Sequence, residues 1–295
     1  MKKLRISNLS PTPLLLILAV AVLVTVPVRV FQLTNCVDPA TGFWAAKDFT
    51  VPLLYIICAV ICAVAFFLSA FSGIMTRPAF KEDKDILLGI GAIIFAGTLI
   101  VDLALRVSKL ITLVSTFTAQ GAKDIFRFLT TTGSLAMAFE VLFGILAAIY
   151  LVLVSISALK GEDSYSAHRI LALNPVLWAM FRLICHFVAP VNFKNVSQLF
   201  LEIIMLCFTM VFFLSFARIA SDINGEKSMW ILWFTGVMTA LMAFICALAP
   251  LVLVITGKGE MLPDAYPVHY CDFGLALFTS AFLFTVTPLT NEVDR

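Results

Sequence analysis

The chain has 295 residues, of which 61% are hydrophobic and 13% charged, with a mean hydropathy of +1.04 and a formal net charge of +2. Soluble domains hold roughly 45–50% apolar residues, so this composition excludes a water-soluble globular protein and marks an integral membrane protein. So small a net charge, with no Lys/Arg-rich run, excludes a nucleic-acid partner, and the seven dispersed cysteines form neither a disulfide framework nor a metal-ligand spacing.

A helix that crosses a bilayer needs about 20 mostly apolar residues. Eight stretches qualify, at 13–33, 50–74, 86–105, 132–159, 173–190, 196–220, 228–256 and 267–289. The predicted fold is therefore an all-α bundle of about eight transmembrane helices forming a single polytopic domain over residues 1–295.

The first stretch follows Lys2, Lys3 and Arg5 and contains Ala19-Val20-Ala21, in the manner of a signal peptide. Its apolar run exceeds the roughly 7–15 residues of a cleavable core, which predicts an uncleaved anchor. The loop 34–44 combines turn formers around Asp38-Pro39 with Phe43 and Trp44. This composition suits an interfacial aromatic anchor, with a lid over a cavity as the alternative.

In the second stretch Cys58 and Cys62 share a face as packing residues. The third continues as an amphipathic helix to Thr118, because Leu103, Val107, Leu110, Ile111 and Val114 keep a helical period until Gln120-Gly121. Gly89, Gly91, Ala92, Ala96 and Gly97, with Gly144 and Ala148 of the fourth, are small residues that admit close helix approach. Asn174-Pro175 reads as an N-cap followed by proline at the first helical position. Gly257-Lys258-Gly259 marks a loop. No internal repeat is present, which weakens an inverted-repeat transporter.

Loop lysines and arginines give the orientation. With a cytoplasmic N-terminus, eleven lie on the inner side and eight on the outer, and Lys2, Lys3, Arg5 and Arg77 set the sign of the bias. Both termini are then cytoplasmic, and the cell membrane is the expected location.

Charge inside apolar spans costs about 2.5–3.5 kcal/mol per residue, so such side chains face a bundle interior or a wet cavity. The predicted threading brings Arg29, Asp102, Arg106, Glu140, Arg182, His186, Glu202, His269 and Asp272 to the outer halves of six helices. Residues three, four or seven apart share a helix face. Thr98, Asp102, Arg106 and Lys109 form one stripe, Trp178, Arg182 and His186 a second, and Gln198, Glu202 and Thr209 a third.

Candidate ligand-binding residues are Asp102, Arg106, Glu140, Arg182, His186 and Glu202. The competing structural expectation is an in-helix Asp102–Arg106 salt bridge, with Arg182 pinning helices through Glu202 or Glu140. Arg29, Lys109 and Asp272 are expected to snorkel toward headgroups. Cys36 and Cys271 share the outer side, where a disulfide is geometrically open and free thiols are the default.

Several chemistries lack their motifs. There is no H-E-x-x-H, G-x-S-x-G or G-x-x-x-x-G-K-[ST] sequence, and the seventh span carries no lysine to hold retinal. His186 and His269 could ligate one haem, but two histidines on separate helices do not carry that reading, so no cofactor and no metal is expected.

Function divides three ways. A small zwitterionic or anionic solute would meet Arg182 or Arg106 as anion clamp, while Glu140 and Glu202 hold an amine or a coupling proton. An enzyme acting on a lipid-linked or cell-envelope substrate would use the same acids with His186. A non-catalytic membrane subunit would use the charges to fix helix packing. The expected partners are the lipid bilayer and a small polar solute, with protein partners unspecified.

Overall fold

The computed structural model describes residues 12–38, 44, 49–71, 84–119, 129, 132–161, 169–188, 196–221, 225–262 and 268–285. Among them the chain forms α1 (Thr12–Asn35), α2 (Thr50–Phe71), α3 (Ile86–Ala119) and α4 (Ser134–Lys160). It continues through α5 (Asn174–Val188), α6 (Val196–Ala220), α7 (Gly225–Ile255) and α8 (Tyr270–Thr285). Seven helices are long and apolar enough to cross a membrane, counting α5 with the single 3₁₀ turn Leu171–Leu173 that leads into it. The chain is a multi-pass helical membrane protein.

The eighth helix is described over part of its expected span. It spans 16 residues, about 24 Å at 1.5 Å per residue, against a hydrocarbon core of about 30 Å. The stretch 286–289 lies outside the described residues, and so do Asp38-Pro39 beyond Asp38, Phe43 and Gln120-Gly121. The amphipathic extension of α3 is present, since the helix runs on to Ala119.

Helix order in space follows the apolar faces. α7 is the most enclosed span and touches α1, α2, α6 and α8. α3 is held between α4 and α8, and α5 between α4 and α6. α2 lies at the flank against α1 and α7, and only 17% of its apolar window is buried within the protein, which leaves the rest for lipid.

Small residues set two of the closest approaches. A Cβ on Gly274 would strike Thr98 Oγ1 and come within 2.8 Å of the Phe95 backbone, so α8 lies directly on α3 there. A Cβ on Gly144 would meet Leu103 at 2.6 Å and Trp178 at 3.1 Å. Gly97, expected on the same contact face, has nothing within 4 Å of its Cβ position and plays no part in packing. Asn174 also differs from its expected role: its backbone is already helical, and its side-chain amide donates backward to the Leu171 carbonyl at 3.1 Å.

An aromatic block fills the middle of the bundle. Phe95, Phe213 and Phe278 stack at 5.8–6.2 Å between ring centres, and Phe216 and Phe282 pack edge-on beside them. Trp178 meets Phe95 at 6.0 Å and forms the boundary between this block and the charged end of the bundle.

Candidate functional site

The C-terminal parts of α1, α3 and α5 and the N-terminal parts of α4, α6 and α8 meet at one end of the bundle. Their buried charges form three linked groups of contacts.

The first is an ion pair within hydrogen-bond distance. Arg182 of α5 donates to both carboxylate oxygens of Asp272 on α8, at 2.7 and 3.1 Å, and its Nη1 also reaches Cys271 Sγ at 2.8 Å. Both residues are at most 2% exposed. The flat guanidinium lies 5.6 Å from the ring centre of Trp178. A forked, stacked cation of this kind uses features that only arginine has.

The second is a helix cap supplied from another helix. The first backbone amides of an α-helix have no intrahelical acceptor. At α8 the carboxylate of Asp102 takes them, with the Tyr270 and Cys271 N–H groups donating at 3.1 and 3.3 Å. A negative charge there also complements the helix dipole. The expected in-helix Asp102–Arg106 bridge does not form, because Asp102 is committed to α8 and Arg106 pairs with Glu140 of α4 at 3.4 Å.

The third is a chain of acids and imidazoles. His269 Nδ1 stands 3.7 Å from Asp102 Oδ2, and its Nε2 stands 3.9 Å from Glu202 Oε2. His186 Nε2 lies 3.4 Å from the same Glu202 oxygen, and the two imidazoles meet edge to face at 6.3 Å. The other Glu202 oxygen accepts from Gln198 Nε2 at 2.9 Å. Gln198 Oε1 in turn accepts from Arg29 of α1 at 3.3 Å.

All six predicted site residues therefore belong to this end, with partners that differ from those expected. Arg182 pairs with Asp272 rather than Glu202 or Glu140. Thr209, placed on the Glu202 stripe, bonds its own Met205 carbonyl instead. Arg29 and Asp272, expected to snorkel, are each 2% exposed and embedded in the contacts above, whereas Lys109 is exposed as expected. The sequence signal for Arg29 was Gln32 three residues later, a polar pair on one face of an apolar helix. For Asp272 it was an acid in the first turn of α8.

Among the described residues five buried polar atoms here have no hydrogen-bond partner: Arg29 Nε, Arg182 Nε, Glu140 Oε2, His186 Nε2 and Glu202 Oε2. No disulfide joins Cys36 to Cys271: the Thr50 hydroxyl donates to Cys36 Sγ at 3.8 Å, and Arg182 donates to Cys271 Sγ. From the loop after α1, Val37 bridges to Trp44, whose ring covers the Arg29 guanidinium at 5.7 Å. Among the described residues no three His, Cys, Asp or Glu side chains are grouped to hold a metal ion. Comparison with protein-family models, with curated proteins and with solved structures finds no match.

Proposed function

We propose that this end of the bundle binds a small polar solute through a group rich in hydrogen-bond donors, such as a primary ammonium, with Glu202 as the principal acceptor. The observation that carries this reading is the buried, unpartnered Glu202 Oε2, flanked by imidazole nitrogens at 3.4 and 3.9 Å. These separations exceed the 2.7–3.2 Å of an N–H···O bond. A donor approaching Glu202 Oε2 beside the imidazoles would complete a contact that the protein leaves open. Glu140 Oε2 offers a second open acceptor.

A purely structural network is expected to satisfy its buried polar atoms, since each unmade bond costs about 1–3 kcal/mol. The anion end of the solute is not assigned to Arg182, whose Nη1 and Nη2 are both taken by Asp272. Recognition at this centre thus rests on the acids. The aromatic block beneath Trp178 supports one-sided recognition over conduction through the bundle. With the N-terminus cytoplasmic, as the Lys/Arg bias favours, the site faces away from the cytoplasm.

Purified protein, screened by thermal unfolding against ethanolamine, glycine, choline and putrescine, tests the reading. At least one amine should stabilise the wild type, and Glu202→Gln, which keeps the Gln198 contact, should fold and lose the response. No response to any amine, or an unchanged one in the variant, sinks it.

A second reading, catalysis on a lipid-linked substrate, is favoured by one feature. Asp102 stands behind the Nδ1 of His269 while Nε2 faces Glu202, an acid orienting a general base. Under it, His269→Gln would abolish turnover and leave amine binding in place.

A further inference from the structure

Arginine carries five N–H donors and no acceptor, so a carboxamide that meets it turns its oxygen inward and its NH2 group away. Arg29 meets two of them. Its Nη1 donates to Gln32 Oε1 at 3.1 Å and its Nη2 to Gln198 Oε1 at 3.3 Å. Both outward NH2 groups then find acceptors: Gln32 Nε2 donates to the Thr50 carbonyl at 2.7 Å, and Gln198 Nε2 donates to Glu202 Oε1 at 2.9 Å. One chain of hydrogen bonds thus runs from the first residue of α2, through two side chains of α1 and one of α6, to the carboxylate at the centre of the site.

Arg29, Gln32, Gln198 and Glu202 are each at most 2% exposed, so water does not compete for these bonds. The guanidinium itself is held by the Ser197 hydroxyl at 3.3 Å and by the Trp44 ring over its face at 5.7 Å. A half-turn of the Gln198 amide would set oxygen against oxygen at Glu202 and lose the Arg29 bond at the same time. Arg29 therefore decides which way that amide faces.

The orientation has a consequence for the carboxylate. Glu202 Oε1 accepts from Gln198, while Oε2 stays open beside the two imidazoles. A guanidinium engages a carboxylate through both oxygens in parallel, whereas an ammonium needs one. We infer that Arg29 is the positioning residue of this site: acting through Gln198, it fixes the Glu202 carboxylate with one oxygen occupied and one open, and so selects an ammonium over a guanidinium. The inference rests on the amine reading of Glu202 and names the residue that sets its selectivity. It also gives a task to α2, which lies at the flank of the bundle yet anchors the far end of the chain.

The test uses full-length protein in dodecyl maltoside and two readouts. Thermal unfolding against ethanolamine and guanidinoethanol, which differ only in the cationic group, reads selectivity. The infrared carboxyl band that disappears in Glu202→Gln reads the carboxylate without any ligand. The wild type should favour ethanolamine. Arg29→Met should reduce that preference about tenfold, the effect of losing one hydrogen bond to a charged group, and should shift the Glu202 band. Arg29→Lys, which keeps a donor but not the fork, should restore both in part. Gln198→Leu should match Arg29→Met, and the double variant should lose nothing further, because the two residues act in series. A merely structural Arg29 would add its loss to that of Gln198→Leu. The inference is overturned if the band stays in place in Arg29→Met and Gln198→Leu, or if the two losses add; where one variant does not fold, the other decides. If ethanolamine stabilises the wild type and both variants with the same preference, the positioning falls and the amine reading stands. If no amine stabilises the wild type, the amine reading and the selectivity fall together, while the band still decides the positioning.

Discussion

Arg182 and Asp272 show how far a single pair determines this protein's stability. Desolvating both charges is costly, and the two-point contact with the Trp178 ring behind it offsets that cost only while both partners remain. Asp272→Ala should therefore destabilise by about 3–5 kcal/mol, since it leaves a guanidinium buried and unpaired. Arg182→Lys should recover less than the wild-type stability, because an ammonium cannot reproduce the two parallel bonds of the guanidinium fork. Denaturant or thermal unfolding of the purified variants checks both. Asp102 acts differently: it fastens the start of α8, so Asp102→Ala should cost about 0.5–2 kcal/mol, the range for a lost helix cap. Hydrogen exchange at Tyr270 and Cys271 should rise before exchange elsewhere does.

Contact between α3 and α8 turns on the absence of one side chain. Gly274→Ala would drive a methyl group into Thr98 and the Phe95 backbone, and backbone cannot move aside as a flexible side chain can. The expected cost is about 1–3 kcal/mol, with lower folded yield. Gly97→Ala, on the same helix as Phe95, has open space around its Cβ and should leave yield unchanged. Size-exclusion profiles of the two variants, prepared side by side, make the comparison. The start of α8 belongs to the same scale: Asp102 of α3 accepts from its first amides, and the same turn brings Asp272 to Arg182.

Across the whole molecule, charge and aromatic bulk are separated along the bundle axis. Six helices carry ionisable groups to one end, and Phe95, Phe213 and Phe278 close the middle below them. The end of α1 and the loop after α7 lie at that same end, where Leu33 packs with Ala249 and Leu253. The end of α6 lies opposite. Single cysteines at Asn35 and Lys258 should therefore label with an impermeant reagent from one side of the membrane, and a cysteine at Ser221 from the other. Labelling of Asn35 and Ser221 from the same side would refute the threading.

Length and hydropathy by themselves determined the multi-pass membrane class, seen in seven helices long and apolar enough to cross a bilayer, and the end of the bundle at which the ionisable groups meet. Each of these depends on chain-local quantities: apolar run length, helical rise and the order of crossings. Glu140, Arg182 and Glu202 were legible as buried charges for this reason, and Arg106 as a half-buried one. Which charge meets which was decided only by tertiary structure. The i,i+4 rule favoured Asp102 with Arg106, yet Asp102 serves α8 and Arg106 serves Glu140, because the rotation of each helix about its axis is set by packing at places such as Gly274 on Thr98. The contacts of Arg29 with Ser197 and Gln198 have the same origin: which side chains meet across two helices is a property of the space around them, and no spacing along one helix records it.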